Sequence, residues 1–227
     1  MNRLTLIQLL MKQGRKNYLE IGVYNGHIFF RIKSTLKVGV DPEFKFDLLR
    51  KIGKTFINPY NIFNQYFSET SDDFFNSHAN HLFGDKKIEI SLVDGMHEYH
   101  YALRDTENVL KYLDENGVIV LHDCNPITKE SGRSFDEWKK SGMEYDWNGD
   151  VWKAIVHLRS LRPDVNAFVV DCDYGLGIVT KRKPENMLSF SGNEINSLTY
   201  EDLNNHRGEW LNLKPVNYLK EYFNINF

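Results

Sequence analysis

Short apolar segments alternate with helical patterns along the first 180 residues, and this alternation most limits what the chain can fold into. The strand candidates are Tyr18–Ile21, Leu36–Val40, Ile62–Phe67, Ile88–Val93, Val118–Leu121, Ala167–Val170 and Leu176–Thr180. Strands that alternate with helices form right-handed crossovers and parallel pairs. We therefore predict a doubly wound α/β fold with a seven-stranded, mostly parallel sheet whose last strand is antiparallel.

The predicted helices occupy the intervals between these strands. Apolar spacing indicates helices over residues 4–12, Ile28–Ile32, Tyr99–Leu113 and Val151–Leu161. Ser71 followed by two acidic residues predicts the N-cap of a further helix.

The alternation predicts a single domain over residues 1–182, and two segments do not follow it. Residues 124–149 are rich in Gly, Ser, Trp and charge and are expected to form an insertion near the site. Residues 183–227 form a polar and aromatic tail whose role the sequence leaves open.

Charge, cysteine content and hydropathy exclude several classes of protein. The 28 basic and 31 acidic residues give a net charge of −3, and no segment concentrates Lys and Arg, so we expect no nucleic-acid partner. Two cysteines are too few for a disulfide framework. No apolar run reaches the roughly 18 residues of a membrane span. We expect a soluble cytoplasmic protein without a membrane partner, with a homo-oligomer left open.

A glycine turn follows the first strand and is the first candidate for ligand binding. The segment contains Glu20, Gly22, Tyr24 and Gly26. Glycines let the backbone pass close to a ligand, but the G-x-G-x-x-G spacing of a dinucleotide site is absent. Asp41 ends the second strand and is placed to accept hydrogen bonds from ribose hydroxyls, with a helix cap as the alternative.

Ser71 and Asp72 follow the third strand. They could border an adenine pocket, or they could act only as helix-capping residues that need no ligand.

Two carboxylates end neighbouring predicted strands, Asp94 after the fourth and Asp123 after the fifth. Parallel strands lie about 4.8 Å apart, so these acids can converge, and they repel unless a proton or a cation lies between them. His122 is a third candidate ligand, although alternate strand residues point to opposite faces and it could instead pack beneath the sheet. His97 lies three residues after Asp94 and titrates in the range useful for a general base.

The ordered set of motifs resembles class I S-adenosylmethionine-dependent methyltransferases. Beside the glycine turn, the resemblance is carried by Leu92–Tyr99, Gly117–Asp123, Gly149–Ile155 and Tyr174–Gly177. It is most similar to the macrocin and mycinamicin sugar O-methyltransferases, and more distantly to catechol O-methyltransferase.

The resemblance implies S-adenosylmethionine as cofactor, with Asp94 also among its binding residues. It implies a divalent metal, Mg or Mn, on Asp94, His122 and Asp123, and His97 as the general base. The chain departs from the family at one point, because His122-Asp123 stands where relatives have a pair of oxygen ligands, and imidazole suits Mn better than Mg.

The acceptor is implied only by the resemblance, which favours a hydroxyl of a sugar or glycan precursor. Trp138, Tyr145 and Trp147 in the insertion could form an aromatic platform for it. The alternatives are a phosphorylated or aromatic small-molecule acceptor, a non-catalytic protein that binds the cofactor, and a nucleotide-binding oxidoreductase, which the glycine spacing disfavours.

Overall fold

A computed structural model describes residues 1–144 and 146–227, and Tyr145 lies outside the described residues. Seven strands form one sheet in the order β3-β2-β1-β4-β5-β7-β6. Their bounds are β1 Asn17–Ile21, β2 Leu36–Val40, β3 Asn64–Phe67, β4 Ile88–Val93, β5 Leu113–Leu121, β6 Asn166–Val170 and β7 Leu176–Thr180.

The predicted fold class is confirmed. The strand pairs from β3 through β5 are parallel, whereas β7 pairs antiparallel with both β5 and β6. Strand order reverses between β1 and β4, because the chain crosses from β3 back over β2 and β1. In an open sheet of this kind, ligands bind beyond the carboxyl ends of the strands at that reversal.

Helices cover both faces of the sheet. Their bounds are α1 Arg3–Met11, α2 Leu48–Ile57, α3 Ser71–Ser77, α4 Ala79–Phe83, α5 Tyr99–Tyr112, α6 Phe135–Lys140, α7 Trp152–Leu161, α8 Gly192–Ser197, α9 Tyr200–Trp210 and α10 Tyr218–Phe223. Among the helices of the described residues, none is long and apolar enough to cross a bilayer.

The local structure differs from the predictions at several points. The helix expected over Ile28–Ile32 is one 3₁₀ turn, Phe29–Arg31, because its aromatic and β-branched side chains are buried against the sheet instead of extending a helix. The sequence pattern did not predict α2. The N-cap of α3 is Thr70, whose side chain accepts from the backbone N–H of Asp73, so Ser71 is the first helical residue.

Two apolar layers flank the sheet. One contains α3, α5 and α7, with Phe74, Val109 and Ile155 fully buried. The other contains α1 and the 3₁₀ turn, with Leu6 and Phe29 fully buried.

The tail crosses from one layer to the other at the β6 edge. Leu203 of α9 is buried in the first layer and Leu219 of α10 in the second. Between them, the backbone N–H of Lys214 donates to the carbonyl of Val169 at 2.8 Å. Residues 183–227 are therefore packed against the same sheet and protect its outer edge.

Candidate functional site

A cavity of about 980 Å³ opens beyond the carboxyl ends of β1, β2 and β4. It is where the reversal of strand order predicts a ligand. Eight of the sequence-predicted residues line it, namely Glu20, Gly22, Tyr24, Asp41, Ser71, Asp72, Asp94 and His97.

Gly22 lies between the two sides of this cavity, where the end of β1 comes closest to the end of β4. Its φ is +82°, and a Cβ added there would lie 2.0 Å from the carbonyl oxygen of Asp94. Only glycine fits this backbone conformation and this close approach between the β1 and β4 ends. Gly26 does not line the cavity; its φ is +73°, and the ring of Phe30 occupies the space a side chain would need.

Asp41 ties the glycine turn to β2. One carboxylate oxygen accepts from the backbone N–H of Tyr24 at 2.6 Å, and the other accepts from the backbone N–H of Glu43 at 2.7 Å. Each oxygen keeps a further lone pair, so the residue can still accept from a ribose hydroxyl.

Glu20 lies at the floor of the cavity. It is buried, and it accepts a hydrogen bond from the hydroxyl of Tyr18 at 2.5 Å. Burial raises the pKa of Glu20 to about 8, although the hydrogen bond from Tyr18 opposes that rise. A cationic ligand group nearby would favour its charged form.

The predicted adenine-side residues are held by α5. Ser71 donates from its hydroxyl to Asp105, and Asp72 pairs with Arg104 at 2.9 Å. Asp105 also lines the cavity, and burial raises its pKa to about 6. Sequence reasoning missed Asp105, which looks like one more polar residue on an amphipathic helix.

On the other side of Gly22, three side chains form a compact group that could hold a cation. Asp94, His97 and Asp123 each offer one ligand atom, and these atoms lie within 4.8 Å of one another. The Nε2 atom of His97 is 3.3 Å from Asp123 Oδ2 and 3.7 Å from Asp94 Oδ1.

Burial would raise the pKa of Asp94, but contacts with His122 and His97 and the charge of Arg3 hold it well below its usual range. Asp94 is therefore ionised. An ionised carboxylate is the form that a metal ligand requires.

A backbone carbonyl orients the ring of His97. Its Nδ1 contacts the carbonyl oxygen of Trp147 at 2.6 Å, and because a carbonyl only accepts, Nδ1 carries a proton. Nε2 therefore carries the lone pair when the ring is neutral, and when the ring is protonated its Nε2–H faces the two carboxylates. Burial lowers the pKa of His97, but the hydrogen bond to Asp94 and the charges of Asp94 and Asp123 raise it by more, so the net pKa is above its ordinary value.

Trp147 is brought to His97 by a tight turn. The φ of Gly149 is +62°, and a Cβ there would lie 1.7 Å from the carbonyl oxygen of His97. Glycine at this position lets the end of the 124–149 segment lie directly against the loop that carries His97.

His122 follows β5 and faces a second, more buried set of partners. Its Nδ1 is 2.7 Å from Asp123 Oδ2 and 3.3 Å from Asp94 Oδ1. Its Nε2 is 2.6 Å from Arg3 Nη1. A guanidinium has only donors, so in this arrangement Nε2 accepts and Nδ1 donates. His122 as a metal ligand stays a prediction, and here both of its nitrogens contact protein groups.

Sequence reasoning missed the residues that hold this cluster in place. Arg3 enters from α1 and pairs with Asp94 at 3.3 Å and with Asp173 of the β6–β7 turn at 3.1 Å. The side-chain amide of Asn148 donates to Asp123, and its own oxygen is buried with no hydrogen-bond partner among the described residues. No local motif marks these residues, because they come from distant parts of the chain.

The aromatic residues of the 124–149 segment lie over His97. The rings of His97 and Trp147 stack with centroids 5.1 Å apart, and Trp147 stacks in turn on Trp138 at 5.0 Å. Trp138 lines the cavity, whereas Tyr145 lies outside the described residues. The segment therefore forms one wall beside the reaction-side residues.

Residues 19–124 match the family model described as a methyltransferase domain. This match runs from β1 to just past β5 and so includes both sides of the cavity. None of the curated proteins matches the chain in sequence.

Solved structures with the same fold include several methyltransferases. Cofactor-bound Rv0187 from MTB is 12% identical, with a TM-score of 0.57 and 79% of each chain covered. The O-methyltransferase TomG from Streptomyces achromogenes, in complex with SAM, is 13% identical, with a TM-score of 0.57 and 79% of each chain covered. An O-methyltransferase from Bacillus cereus, in complex with SAH, is 15% identical, with a TM-score of 0.52 over 78% of this chain and 79% of that one. At these identities the likeness shows a common fold.

The sheet order, the cavity at its carboxyl edge and the family match define the class of protein. Residues 19–124 form a methyltransferase domain, with the doubly wound sheet and the carboxyl-edge cavity of that fold. This domain contains the glycine turn, Asp41 and the Asp94–Asp123 cluster.

Proposed function

We propose that this protein is an O-methyltransferase that transfers a methyl group from S-adenosylmethionine to a hydroxyl of a sugar or glycan precursor, with the help of a divalent cation. One observation carries the proposal. Asp94 and His97 line the same cavity as the glycine turn, and with Asp123 they gather three candidate ligand atoms within 4.8 Å. A cofactor in that cavity would therefore lie next to groups able to deprotonate an acceptor.

The residues present fit a divalent cation. The carboxylate oxygens of Asp94 and Asp123 are the hard ligands that Mg and Mn prefer, and the Nε2 lone pair of His97 stays available for the acceptor proton. The amide of Asn148 donates to Asp123 and orients that carboxylate, as outer hydrogen bonds do at metal sites. A bound ion would stabilise the negative charge that develops on the acceptor oxygen.

His97 is the residue we assign to the acceptor proton. Its Nε2 carries a lone pair, and its Nδ1 proton is already held by Trp147. The raised pKa of His97 makes it a stronger base than a free histidine. Gly22, Asp41 and Glu20 would hold the cofactor with its methyl group directed at the same point, so that alignment supplies much of the rate.

The sugar acceptor is supported by the wall over His97. Trp138 and Trp147 stack with ring planes 12° apart, and Trp138 lines the cavity. A flat apolar surface beside charged groups suits a sugar ring, whose faces are apolar and whose edges carry hydroxyls.

Calorimetry with S-adenosylmethionine, repeated with and without Mg or Mn, tests the proposal together with an acceptor screen of nucleotide sugars and catechols. We expect cofactor binding in all conditions and methylated sugar only when metal is present. Binding without turnover of any acceptor would support the non-catalytic alternative, and absence of cofactor binding would overturn the class itself.

His97→Ala separates chemistry from binding. Because the side chain is assigned to the proton, kcat should fall by about 10²–10⁴-fold while the Kd for S-adenosylmethionine changes little. His100→Ala, which removes an exposed histidine from the first turn of α5, is the matched control. Full activity in His97→Ala, or loss of cofactor binding there, contradicts the assigned role.

A further inference from the structure

The helix α2 is turned with its apolar side outward. None of its residues is buried, and Phe56 is 86% exposed, Ile57 78% and Leu49 77%. Leu48, Ile52 and Phe56 recur at four-residue spacing and so share one helical face. A surface helix normally directs such a face at the core.

The polar side of α2 faces the protein instead. The Nζ of Lys51 lies 4.2 Å from the centre of the Tyr66 ring and 5.5 Å from that of Phe46. These aromatic side chains, rather than the leucines of α2, provide the contact with the sheet. The outward apolar face is therefore a consequence of how the helix is anchored.

The exposed apolar surface continues past the end of α2. Ile62 is 73% exposed, Phe63 45% and Tyr60 40%. We call this surface, from Leu48 to Phe63, the α2 face. Single exposed apolar residues are common, but a contiguous group of this kind marks an interaction site.

Positive charge accompanies the α2 face. Residues 48–63 contain no acidic residue, and of their three basic residues Arg50 is exposed, whereas Lys51 and Lys54 are half-buried on the side that faces the protein. Tyr60 also lines a neighbouring groove of about 530 Å³, whose basic residues are Lys12, Arg15, Lys16, Arg31 and Lys33. Within residues 1–144 and 146–227, no ion pair joins any of these five groove residues to a carboxylate. We call these five residues the basic groove.

We propose that the α2 face and the basic groove dock the protein on the surface of an anionic lipid bilayer. Leucine, isoleucine and phenylalanine side chains on one face of a helix enter the boundary between headgroups and acyl chains, while flanking Lys and Arg contact lipid phosphates. This proposal concerns peripheral binding only, and it revises the expectation of no membrane partner, which was based on the lack of a membrane span.

Charge argues against a second copy of the chain as the occupant. A two-fold dimer places identical surfaces against each other. An interface through the α2 face would contain Arg50 of both copies, with no acidic residue in the segment to compensate them. An anionic bilayer satisfies both the apolar and the basic parts of the surface at once.

Vesicle co-sedimentation tests this proposal independently of methyl transfer. The full-length protein should sediment with vesicles of phosphatidylcholine that contain about 30% phosphatidylglycerol, and the bound fraction should fall as salt is added. It should remain in the supernatant with phosphatidylcholine alone. Absence of binding to the anionic vesicles would overturn the proposal.

Paired substitutions test the two parts of the surface. The double variant Leu49→Ser and Phe56→Ser should weaken the partition coefficient by about tenfold or more, because it removes apolar groups without disturbing the core. Ile127→Ser, at a residue 71% exposed elsewhere, should leave partition unchanged. Lys33→Glu should weaken partition several-fold, whereas Lys183→Glu, also an exposed lysine, should not.

Thermal unfolding of each variant should match that of the parent, because every substituted side chain is exposed. Equal partition of the double variant and the parent would overturn the role of the α2 face. Sedimentation equilibrium without lipid provides the other decisive outcome. A dimer that the double serine variant converts to a monomer would assign the α2 face to a second copy and overturn the proposal.

Discussion

The two sides of the cavity are built in different ways. The cofactor side, at the ends of β1 and β2, depends on backbone geometry, with Gly22 at positive φ and Asp41 bound to the N–H groups of Tyr24 and Glu43. The reaction side, at the ends of β4 and β5, depends on charged side chains that contact one another. The first side is therefore sensitive to shape, and the second to charge.

The difference also concerns distance along the chain. Gly22, Tyr24 and Asp41 lie within 20 residues of one another, so a local motif can encode them. The reaction side draws Arg3 from α1, Asn148 from the 124–149 segment and Asp173 from the β6–β7 turn. Charged side chains from distant parts of the chain can pack together at one site, provided that their charges balance.

Gly22→Ala should have the largest effect, because it affects both sides at once. The new Cβ would overlap the carbonyl of Asp94 in a backbone conformation that alanine avoids. We expect the free energy of unfolding to fall by about 4 kcal/mol, with loss of cofactor binding, as measured by denaturant unfolding and calorimetry.

Gly53→Ala is the control for that substitution. Gly53 lies in α2 with nothing within 4 Å of an added Cβ, so alanine should raise stability by about 0.5–1 kcal/mol. If Gly22→Ala proved as stable as Gly53→Ala, the two sides would not meet at this glycine.

Glu20→Gln tests charge on the side that is otherwise governed by shape. The folded pKa of Glu20 is raised from 4.5 to about 8 by burial. Its contribution is therefore fully present below pH 4.5 and is lost as pH rises towards 8, because the unfolded chain loses the proton first. Relative to Glu20→Gln, the parent should lose roughly 3–4 kcal/mol of unfolding free energy between pH 5 and pH 8.5.

Chemical denaturation at several pH values measures this difference. Glu221→Gln, which changes an exposed carboxylate of α10, should give curves parallel to those of the parent. Parallel curves for Glu20→Gln as well would mean that Glu20 is ionised in the folded protein and that the cofactor side already holds a charge.

Trp138→Ala should have the smallest effect and should be confined to the acceptor. Removing the outer ring of the stack should raise the acceptor KM by about tenfold and leave the Kd for S-adenosylmethionine unchanged. Trp138→Phe should restore much of the loss, because it keeps an aromatic face. Steady-state kinetics and calorimetry distinguish this from an equal change in both constants, which would place Trp138 on the cofactor side.

The sequence predicted which residues lie at the strand ends of the site better than it predicted the contacts between their side chains. The strand pattern placed Gly22, Asp41, Asp94 and Asp123 correctly at strand ends, since period and turn residues are local signals. Predicted helix bounds failed where tertiary packing dominates, as at the 3₁₀ turn Phe29–Arg31. The inverted orientation of α2 also depends on contacts with Tyr66 and Phe46 that its own pattern does not contain.

The sequence by itself determined the α/β class, the crossover pattern and the presence of a glycine turn followed by acids at successive strand ends. Only the tertiary structure decided that Arg3 and Asp173 face His122, that Trp147 holds the proton of His97, and that Asp94 and Asp123 share one point with His97. The physical reason is that periodicity and turn chemistry act over a few residues. Charge balance and hydrogen-bond direction, in contrast, act between groups that meet only when the sheet has assembled.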